Sequence, residues 1–221
     1  MRFKKNYIQE LHLSTSREPI KRMMDDKINC MKIARNYDYD FWDGDRRYGY
    51  GGYKYIDGYW TSVAEKLIED YNLNKNSKIL DVGCGKGYLL FEIHKLIPDI
   101  KIAGFDISNY AVENAKDEIK SFLYTHKAEE KTKYLDCEFD LVFTLATLHN
   151  LHLRDLVNSI KEISRISKQS YIMVESYRNL KELFNLQCWA LTCNAFYNDD
   201  DWQYIFEFAG YEGDYEFIYF S

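Results

Sequence analysis

The sequence is poor in proline and has no apolar segment long enough to cross a membrane. Pro19 and Pro98 are the only prolines among 221 residues, and no linker, repeat or low-complexity tract divides the chain. A spanning helix needs about 18 consecutive apolar residues, and no run approaches that length. The basic start MRFKKNYIQELHLSTS lacks the apolar stretch of a secretion signal. These absences predict a globular chain without a membrane partner.

Cysteine pairs and an excess of positive charge are missing as well. The five cysteines are scattered and include no CxxC pair, which favours reduced thiols in the cytoplasm over disulfides or a zinc site. The net charge of −6 argues against a nucleic-acid partner. Residues 1–36 nevertheless carry nine Lys/Arg and four Asp/Glu, a net of +5. Such a basic arm forms either a solvated helix face or a contact for a phosphorylated small molecule.

The first 60 residues predict a helical extension followed by a lid. Ser16 and Pro19 are typical of a helix start, and apolar residues recur at helical spacing from position 20 to 34. Residues 37–60 are too rich in glycine for a helix and too aromatic for a free linker. We therefore predict an extension over 1–60, with an ordered lid, ahead of a core domain over 61–221. A packed connector that binds nothing is the alternative for residues 37–60.

The lid contains aromatic and basic side chains that suit a ligand with both positive and negative groups. Tyrosine faces favour a cation, and Arg46 or Arg47 can reach a carboxylate. We assign Arg47 and Tyr50 to cofactor binding and Tyr53 and Tyr55 to substrate binding. Four later residues are expected to pack in the core or against the lid rather than to form a substrate pocket: Trp189, Cys193, Phe196 and Trp202.

From residue 61 onward, strand patterns alternate with helix patterns. Strands are predicted over 79–82, 101–106, 122–126, 140–145, 171–175 and 215–220. Helices are predicted over 61–71 and 88–96, from Ser108 through Ile119, around 156–166 and over 199–208. Apolar strands that alternate with amphipathic helices indicate an α/β fold with a doubly wound, mostly parallel sheet of six to seven strands.

The stretch KILDVGCGKGYLL over residues 78–90 lies where such sheets bind ligands, at the first strand–turn–helix. A phosphate-binding P-loop requires Ser or Thr after Lys86, where Gly87 stands, and a dinucleotide fingerprint requires glycine where Tyr88 stands. Asp81 would repel a pyrophosphate and attract an ammonium group. Asp106, which ends the next strand, can accept hydrogen bonds from ribose hydroxyls. A nucleoside that carries an amino acid, S-adenosylmethionine, satisfies both carboxylates.

KILDVGCGKGYLL, IAGFDIS and FDLVFTLATLHNL together resemble the successive motifs of the class I S-adenosylmethionine-dependent methyltransferases, over about residues 78–175. The resemblance implies that the glycine turn lines the methionine and ribose, that Asp106 binds the ribose and Ile107 packs on adenine, and that Leu145 and Ala146 flank the methionine. The cofactor-binding residues implied in this region are Asp81, Gly83, Cys84, Gly85, Gly87, Asp106, Ile107, Ala128, Glu129, Leu145 and Ala146.

Two features depart from that family. Where Gly-Asp-Ala often follows the third strand, this chain has His126-Lys127-Ala128. Adenine recognition is therefore left to backbone, to Glu129 or to packing. The C-terminal segment EGDYEFIYF is also short for the usual final hairpin, so a sheet of six strands is an alternative to seven.

Polar residues after the fourth and fifth strands are candidates for chemistry. His149, in TLHNLH, can act as a general base or can only shape its loop. Glu175 and Tyr177 border the same cleft and complete the catalytic candidates. Arg178 is a candidate for substrate binding through a carboxylate or phosphate, and His149 is a further candidate for substrate binding. His149 and His152 have no third partner at metal-ligand spacing, so no metal is predicted.

The combined expectation is a cytoplasmic S-adenosylmethionine-dependent methyltransferase of a small molecule, monomeric or homodimeric. O-methylation of a phosphate- or carboxylate-bearing metabolite, such as a sugar or a nucleotide-linked compound, is expected because a histidine base is available. N-methylation, a non-catalytic S-adenosylmethionine-binding subunit and a nicotinamide-dependent oxidoreductase are the alternatives.

Overall fold

Six strands form one sheet in the computed structural model, which describes residues 2–221. In chain order they are β1 Lys78–Val82, β2 Lys101–Asp106, β3 Leu123–Thr125, β4 Phe139–Leu145, β5 Ser167–Glu175 and β6 Asp214–Ile218. The sheet order is β3-β2-β1-β4-β5-β6, and every neighbouring pair is parallel. The predicted doubly wound α/β fold is confirmed, with six strands and with β6 directly beside β5.

Helices cover both faces of this sheet. They are α1 Gln9–Leu13, α2 Pro19–Met23, α3 Lys27–Ala34, α4 Tyr39–Trp42, α5 Thr61–Asp70, α6 Tyr88–Leu96, α7 Asn109–Glu113, α8 Asp117–Lys120, α9 Leu153–Ile166, α10 Leu180–Trp189 and α11 Asp199–Phe208, with a 3₁₀ turn over Leu148–Asn150. No helix within residues 2–221 is both long and apolar enough to cross a membrane.

Two apolar cores arise because successive strand residues point to opposite faces of the sheet. Ile79 packs in the core on the side of α5 and α6, whereas Leu80 and Val82 pack in the other, beneath α9 and α11. The amphipathic helix α9 buries Leu156 and Ile160 completely. Each fully buried side chain of this size stabilises the fold by roughly 1.5–3 kcal/mol. The cores therefore fix the sheet, and the carboxyl ends of its strands define a single rim.

The helix predicted from Ser16 through Ala34 is instead two short helices. Asp26 adopts the left-handed conformation (φ 43°) between α2 and α3, which interrupts the helix. Glu18, not Ser16, precedes the first turn of α2. The predicted apolar stripe is not buried as a unit, since Ile20 and Met24 are 63% and 79% exposed. Spacing alone therefore failed to show which apolar residues find a partner surface.

Several other boundaries shift by a few residues. The helix predicted from Ser108 to Ile119 divides into α7 and α8, although Ser108 caps it as expected, its Oγ accepting from the Ala111 N–H at 3.0 Å. Helix α10 was not predicted. Its start has a recognisable signal, because Asn179 Oδ1 accepts a hydrogen bond from the N–H of Glu182, three residues on.

The N-terminal arm is fixed to the sheet edge by one buried carboxylate. Glu216 on β6 accepts backbone N–H bonds from Tyr7, Ile8 and Gln9, at 2.7–2.9 Å, at the first turn of α1. The Tyr171 hydroxyl donates to the same side chain at 2.7 Å. The three backbone bonds satisfy donors that the start of a helix leaves free. They hold the N-terminal arm against the edge strand β6. The domain boundary near residue 60 stays a prediction.

Candidate functional site

The turn after β1 brings backbone close to two side chains. Gly83 (φ 77°) and Gly85 (φ 54°) adopt the left-handed conformation that favours glycine. A Cβ on Gly83 would collide with the side chain of Thr147, and a Cβ on Gly85 would lie 2.8 Å from Cη2 of Trp42. The glycines are therefore required both by backbone angles and by space.

Two buried carboxylates flank this turn. Asp106 accepts the Gly85 N–H through Oδ2 and the Ser108 N–H through Oδ1, both at 2.8 Å. Asp81 is only 4% exposed, and its Oδ1 has no hydrogen-bond partner among residues 2–221. Burial, followed by the charge of Asp106, raises the pKa of Asp81 well above its usual range. A buried acid with an unpaired oxygen is a strong attraction for a cationic or hydrogen-donating ligand.

A cavity of about 270 Å³, here called the inner cavity, lies beyond the end of β2. Four of the predicted cofactor-binding residues line it, namely Asp106, Ile107, Ala128 and Glu129. His126 lines it as well. A second cavity of about 450 Å³, the outer cavity, lies in front of β1, β4 and β5 and includes Asp81, Gly85 and Cys84. The residues common to both walls are Phe41, Trp42, Tyr50, Gly83, Leu145, Ala146 and Thr192.

The glycine- and tyrosine-rich segment folds as an ordered cover on the glycine turn. Trp42 stacks on Tyr50 with an interplanar angle of 9°, and Tyr53 stacks on Tyr88. The Lys86 ammonium, in the glycine turn itself, donates to both carboxylate oxygens of Asp43 at 2.9 and 2.7 Å. The Lys86 side chain is only 5% exposed. A buried ion pair of this kind is stable only when both charged groups are well paired. The cover is therefore tied to the turn by charge as well as by packing.

Glu175 and His149 meet on the wall of the outer cavity, at the ends of β5 and β4. Nδ1 of His149 accepts the Glu175 backbone N–H at 3.3 Å, so the ring proton of the neutral form lies on Nε2, 3.4 Å from Glu175 Oε2. Burial lowers the pKa of His149 to about 3. Burial raises the pKa of Glu175 to about 7, against the opposing charge of Arg17. Both residues were predicted catalytic candidates, and of the two it is Glu175 whose pKa lies near neutrality, as a general base requires.

Three predicted residues of the cover and the turn do not line either cavity. Arg47 forms an ion pair with Asp25 at 2.7 Å. Tyr55 donates to Glu92 and packs on Phe91. Gly87 starts α6, with Ile119 and Leu123 beside it. These three side chains or backbone positions make contacts within the fold, and the cofactor or substrate contacts predicted for them stay predictions, whereas Tyr53 and Arg46 do line the outer cavity.

Tyr177 and Arg178, after β5, also lie outside both cavities. The Arg178 guanidinium forms an ion pair with Glu182 and lies 4.0 Å from the centre of the Tyr219 ring. Arg178 therefore makes its contacts within the fold, and its predicted binding of a substrate stays a prediction. Trp202 is fully buried as predicted, whereas Trp189 lines the outer cavity rather than packing in the core.

Sequence reasoning missed several residues of the outer cavity. Arg17, Arg22 and His12 come from the N-terminal arm, and their spacing gave no sign that they would meet the strand ends. Ala146 was predicted, but not its conformation: it is left-handed (φ 55°) directly after β4. A non-glycine residue in that region stores strain, and such residues cluster at functional sites.

Comparison with known proteins shows the family to which the chain belongs. Residues 73–210, more than half of the chain, match a family model described as a methyltransferase domain. The chain therefore belongs to that family, the class I S-adenosylmethionine-dependent methyltransferases. The cofactor of the family is S-adenosyl-L-methionine, which leaves as S-adenosyl-L-homocysteine.

Individual relatives are more distant. A tRNA U34 carboxymethyltransferase of Nautilia profundicola is 33% identical over 49% of this chain and 37% of its own length. A sterol 24-C-methyltransferase of Clavispora lusitaniae is 26% identical over 77% of this chain and 50% of its own. The chain thus spans half or less of these curated relatives. A methyltransferase structure from Aquifex aeolicus matches 84% of this chain and 88% of its own with a TM-score of 0.50 at 18% identity, a likeness of fold.

The residues present fit S-adenosylmethionine. The unpaired Oδ1 of Asp81 suits the ammonium of the methionine part, because an ammonium donates hydrogen bonds and carries the opposite charge. Each Asp106 oxygen accepts one backbone N–H and keeps a second lone pair for a ribose hydroxyl. Ile107 and Ala128 offer apolar surface in the inner cavity for the adenine ring of the cofactor. The walls thus suit an elongated ligand that extends from one cavity into the other past Trp42 and Tyr50, which line both.

Proposed function

We propose that the protein transfers a methyl group from S-adenosylmethionine to an oxygen of a small molecule that carries a phosphate or carboxylate, such as a sugar or nucleotide-linked metabolite. The observation that supports this most strongly is the position of Glu175. Its carboxylate lies on the wall of the outer cavity, which also contains Asp81 and the glycine turn. A base and the proposed methyl donor would thus share one enclosed space.

The bound cofactor would supply an electrophilic methyl group on a sulfonium. In the proposed step the acceptor oxygen forms a bond to that methyl carbon, the carbon–sulfur bond breaks, and its electron pair stays on sulfur. Glu175 takes the hydroxyl proton through a carboxylate oxygen, while the Nε2–H of His149 faces Oε2 and orients the carboxylate. Tyr50 and Trp42 cover the cavities and limit the access of water.

The size of the outer cavity supports a small acceptor. Its volume of about 450 Å³ lies in the range of small-molecule sites. The names of the relatives cover tRNA and sterol acceptors, so the acceptor class is proposed from this chain's own cavity. Reaction in the cytoplasm, by a monomer or homodimer, remains part of the proposal.

Two measurements test the proposal in sequence. The first is calorimetric titration with S-adenosylhomocysteine, S-adenosylmethionine and NAD, in which only the two adenosyl ligands should bind. The second is transfer of a labelled methyl group to panels of hydroxylated phosphates and carboxylates, with bulk tRNA and protein as competing acceptors. Transfer to the small molecules is expected. Binding without any transfer would favour the non-catalytic subunit, and NAD binding would contradict the family cofactor at this site.

A further inference from the structure

Three arginines converge on one indole at the mouth of the outer cavity. The Cζ atoms of Arg17, Arg22 and Arg46 lie 5.7, 4.5 and 5.2 Å from the centre of the Trp189 ring. Arg17 and Arg22 belong to the N-terminal arm, Arg46 to the cover and Trp189 to the end of α10. All four side chains line the cavity that also contains Glu175. Distant parts of the chain thus place three positive charges around one aromatic face.

None of these three guanidiniums has a carboxylate within ion-pair distance among residues 2–221. Arg17 donates to the carbonyls of His12 and Thr15, and Arg22 donates to the carbonyl of Arg46. The Nε atoms of Arg17 and Arg22 are buried without any hydrogen-bond partner. Buried donors of this kind cost free energy unless a ligand or water pairs with them.

His12 fixes the direction of Arg17. Its Nε2 lies 3.1 Å from the carbonyl of Tyr219 and its Nδ1 lies 3.2 Å from Nη2 of Arg17. An imidazole that donates through Nε2 and accepts through Nδ1 is neutral. Burial, together with the charge of Arg17, lowers the pKa of His12 to about 4, which keeps it so. The arginine is therefore held in place without its charge being offset.

The other charged groups nearby do not neutralise the cluster. The ammonium of Lys27 donates to the carbonyls of Cys188 and Ala190 and adds a fourth positive charge near Arg22. Asp25 is paired with Arg47. Glu175 faces Arg17. Burial, with the charge of Arg46 second, lowers the pKa of Arg22 to about 10, as mutual repulsion of unpaired cations requires.

Contact with Trp189 explains only part of this arrangement. A cation over an aromatic face gains about 0.5–2 kcal/mol, and one ring offers its faces to all three guanidiniums. Like charges without an intervening anion repel one another. In a chain of net charge −6, with 35 acidic residues available, leaving three arginines unpaired at one cavity is the opposite of what stability alone favours.

We propose that Arg17, Arg22 and Arg46 form the binding site for a carboxylate or phosphate group of the methyl acceptor, with Trp189 as its apolar wall. The assignment rests on the proposed function for the identity of the ligand, and it defines how the acceptor lies. Its anionic end contacts the arginines, and its hydroxyl lies toward Glu175, deeper in the same cavity. Guanidinium forks match planar or tetrahedral oxyanions through paired hydrogen bonds.

The test is a titration of anions into the full chain presaturated with S-adenosylhomocysteine, at low ionic strength. Inorganic pyrophosphate and citrate serve as probes. Wild-type protein should bind at least one of them saturably, and Arg22→Met and Arg46→Met should each weaken that binding about tenfold or more, because each loses one charge-assisted contact. Arg154→Met, which removes an exposed arginine on α9, is the charge-matched control and should bind as wild type does. Thermal melts establish that each variant is folded.

A second ligand distinguishes the two possible sources of the anion. S-adenosylhomocysteine carries the methionine carboxylate, and 5′-methylthioadenosine does not. Under the proposal both bind the arginine variants about as tightly as they bind wild type. If only S-adenosylhomocysteine weakens, the arginines serve the cofactor and the acceptor assignment is overturned. Equal anion binding by all variants, or none by wild type, also overturns it. If the wild-type protein does not bind S-adenosylhomocysteine, the proposed function is contradicted instead. The anion site can then still be tested, because the anions can be titrated into the protein without cofactor.

Discussion

The two ends of the joined cavities carry opposite charge and come from different parts of the chain. The inner end of the cleft, beside the glycine turn, contains Asp106 of the inner cavity and Asp81 of the outer cavity, which lie on adjacent strands. At the outer end stand Arg17, Arg22 and Arg46, from the N-terminal arm and the cover. One end suits the ammonium and hydroxyls of the cofactor. The other suits an anion, and under our proposal the cleft separates cofactor and acceptor by charge.

The two ends should therefore respond differently to mutation, because one is built from neighbouring residues and the other from distant parts of the chain. The inner end depends on bonds between neighbours, such as the Gly85 N–H to Asp106. The outer end depends on the docking of the arm through Glu216 and on α10, which packs against α2. We expect the inner end to bind a ligand common to the family, and the outer end to determine the acceptor. The following changes separate the two.

The largest effect is expected where both ends meet, at Glu175. Glu175→Gln should lower the rate of methyl transfer about 10²- to 10⁴-fold, because the amide cannot take a proton. S-adenosylhomocysteine affinity should be unchanged. Since the base acts when deprotonated and its pKa is about 7, the wild-type rate should rise with pH through that value and then level off. If Glu175→Gln retained this pH profile, the base would be another group. His149→Asn should keep a pH profile of the same kind, with a shifted midpoint.

Next in size is the loss of the ribose contact at the inner end. Asp106→Ala should weaken S-adenosylhomocysteine about a hundredfold in calorimetry, because two charge-assisted hydrogen bonds are lost. Asp106→Asn should lose less, since one oxygen still accepts. Pyrophosphate binding at the outer end should stay within about twofold. If Asp106→Ala weakened both ligands equally, the two ends would not be independent.

A smaller effect on stability comes from the glycine turn, for which the chain offers a matched control. Gly83 and Gly210 have similar backbone angles (φ 77° and 71°). A Cβ added to Gly83 would collide with Thr147, whereas a Cβ added to Gly210 would have no atom within 4 Å. Gly210→Ala should cost about 1–2 kcal/mol for the backbone alone. Gly83→Ala should cost about 2 kcal/mol more, from overpacking. Denaturant unfolding measures both, and equal losses would show that Thr147 moves aside.

The smallest effect is expected for the arginine that lies outside the cleft. Arg178→Ala removes an ion pair whose arginine is half exposed, while the buried Glu182 carboxylate still accepts the backbone N–H of residue 178. Pyrophosphate affinity and S-adenosylhomocysteine affinity should both match wild type. A tenfold loss of anion affinity in this variant would restore Arg178 to the substrate site and weaken the case for the three arginines.

Much of the fold could be predicted because its signals are local. The apolar runs of β1 and β4, buried on both faces, could form only central strands. Ser108 and Asn179 provide capping oxygens within three residues of the donors that they satisfy. The break at Asp26 was not predictable from spacing, because the helical pattern continues across it. Whether Ile20 and Met24 are buried depends on surfaces that the pattern does not describe.

The sequence by itself determined the sheet, the glycine turn and its two acids, because each depends on residues close in the chain and on angles that only glycine adopts freely. The tertiary structure decided which charged side chains reach the cleft. Arg17 and Arg22 reach it only because Glu216 holds the arm against β6, while Arg178 turns away to Glu182. It also set the surroundings of the two candidate bases: burial raises the pKa of Glu175 and lowers that of His149, which is why we propose the carboxylate for proton transfer.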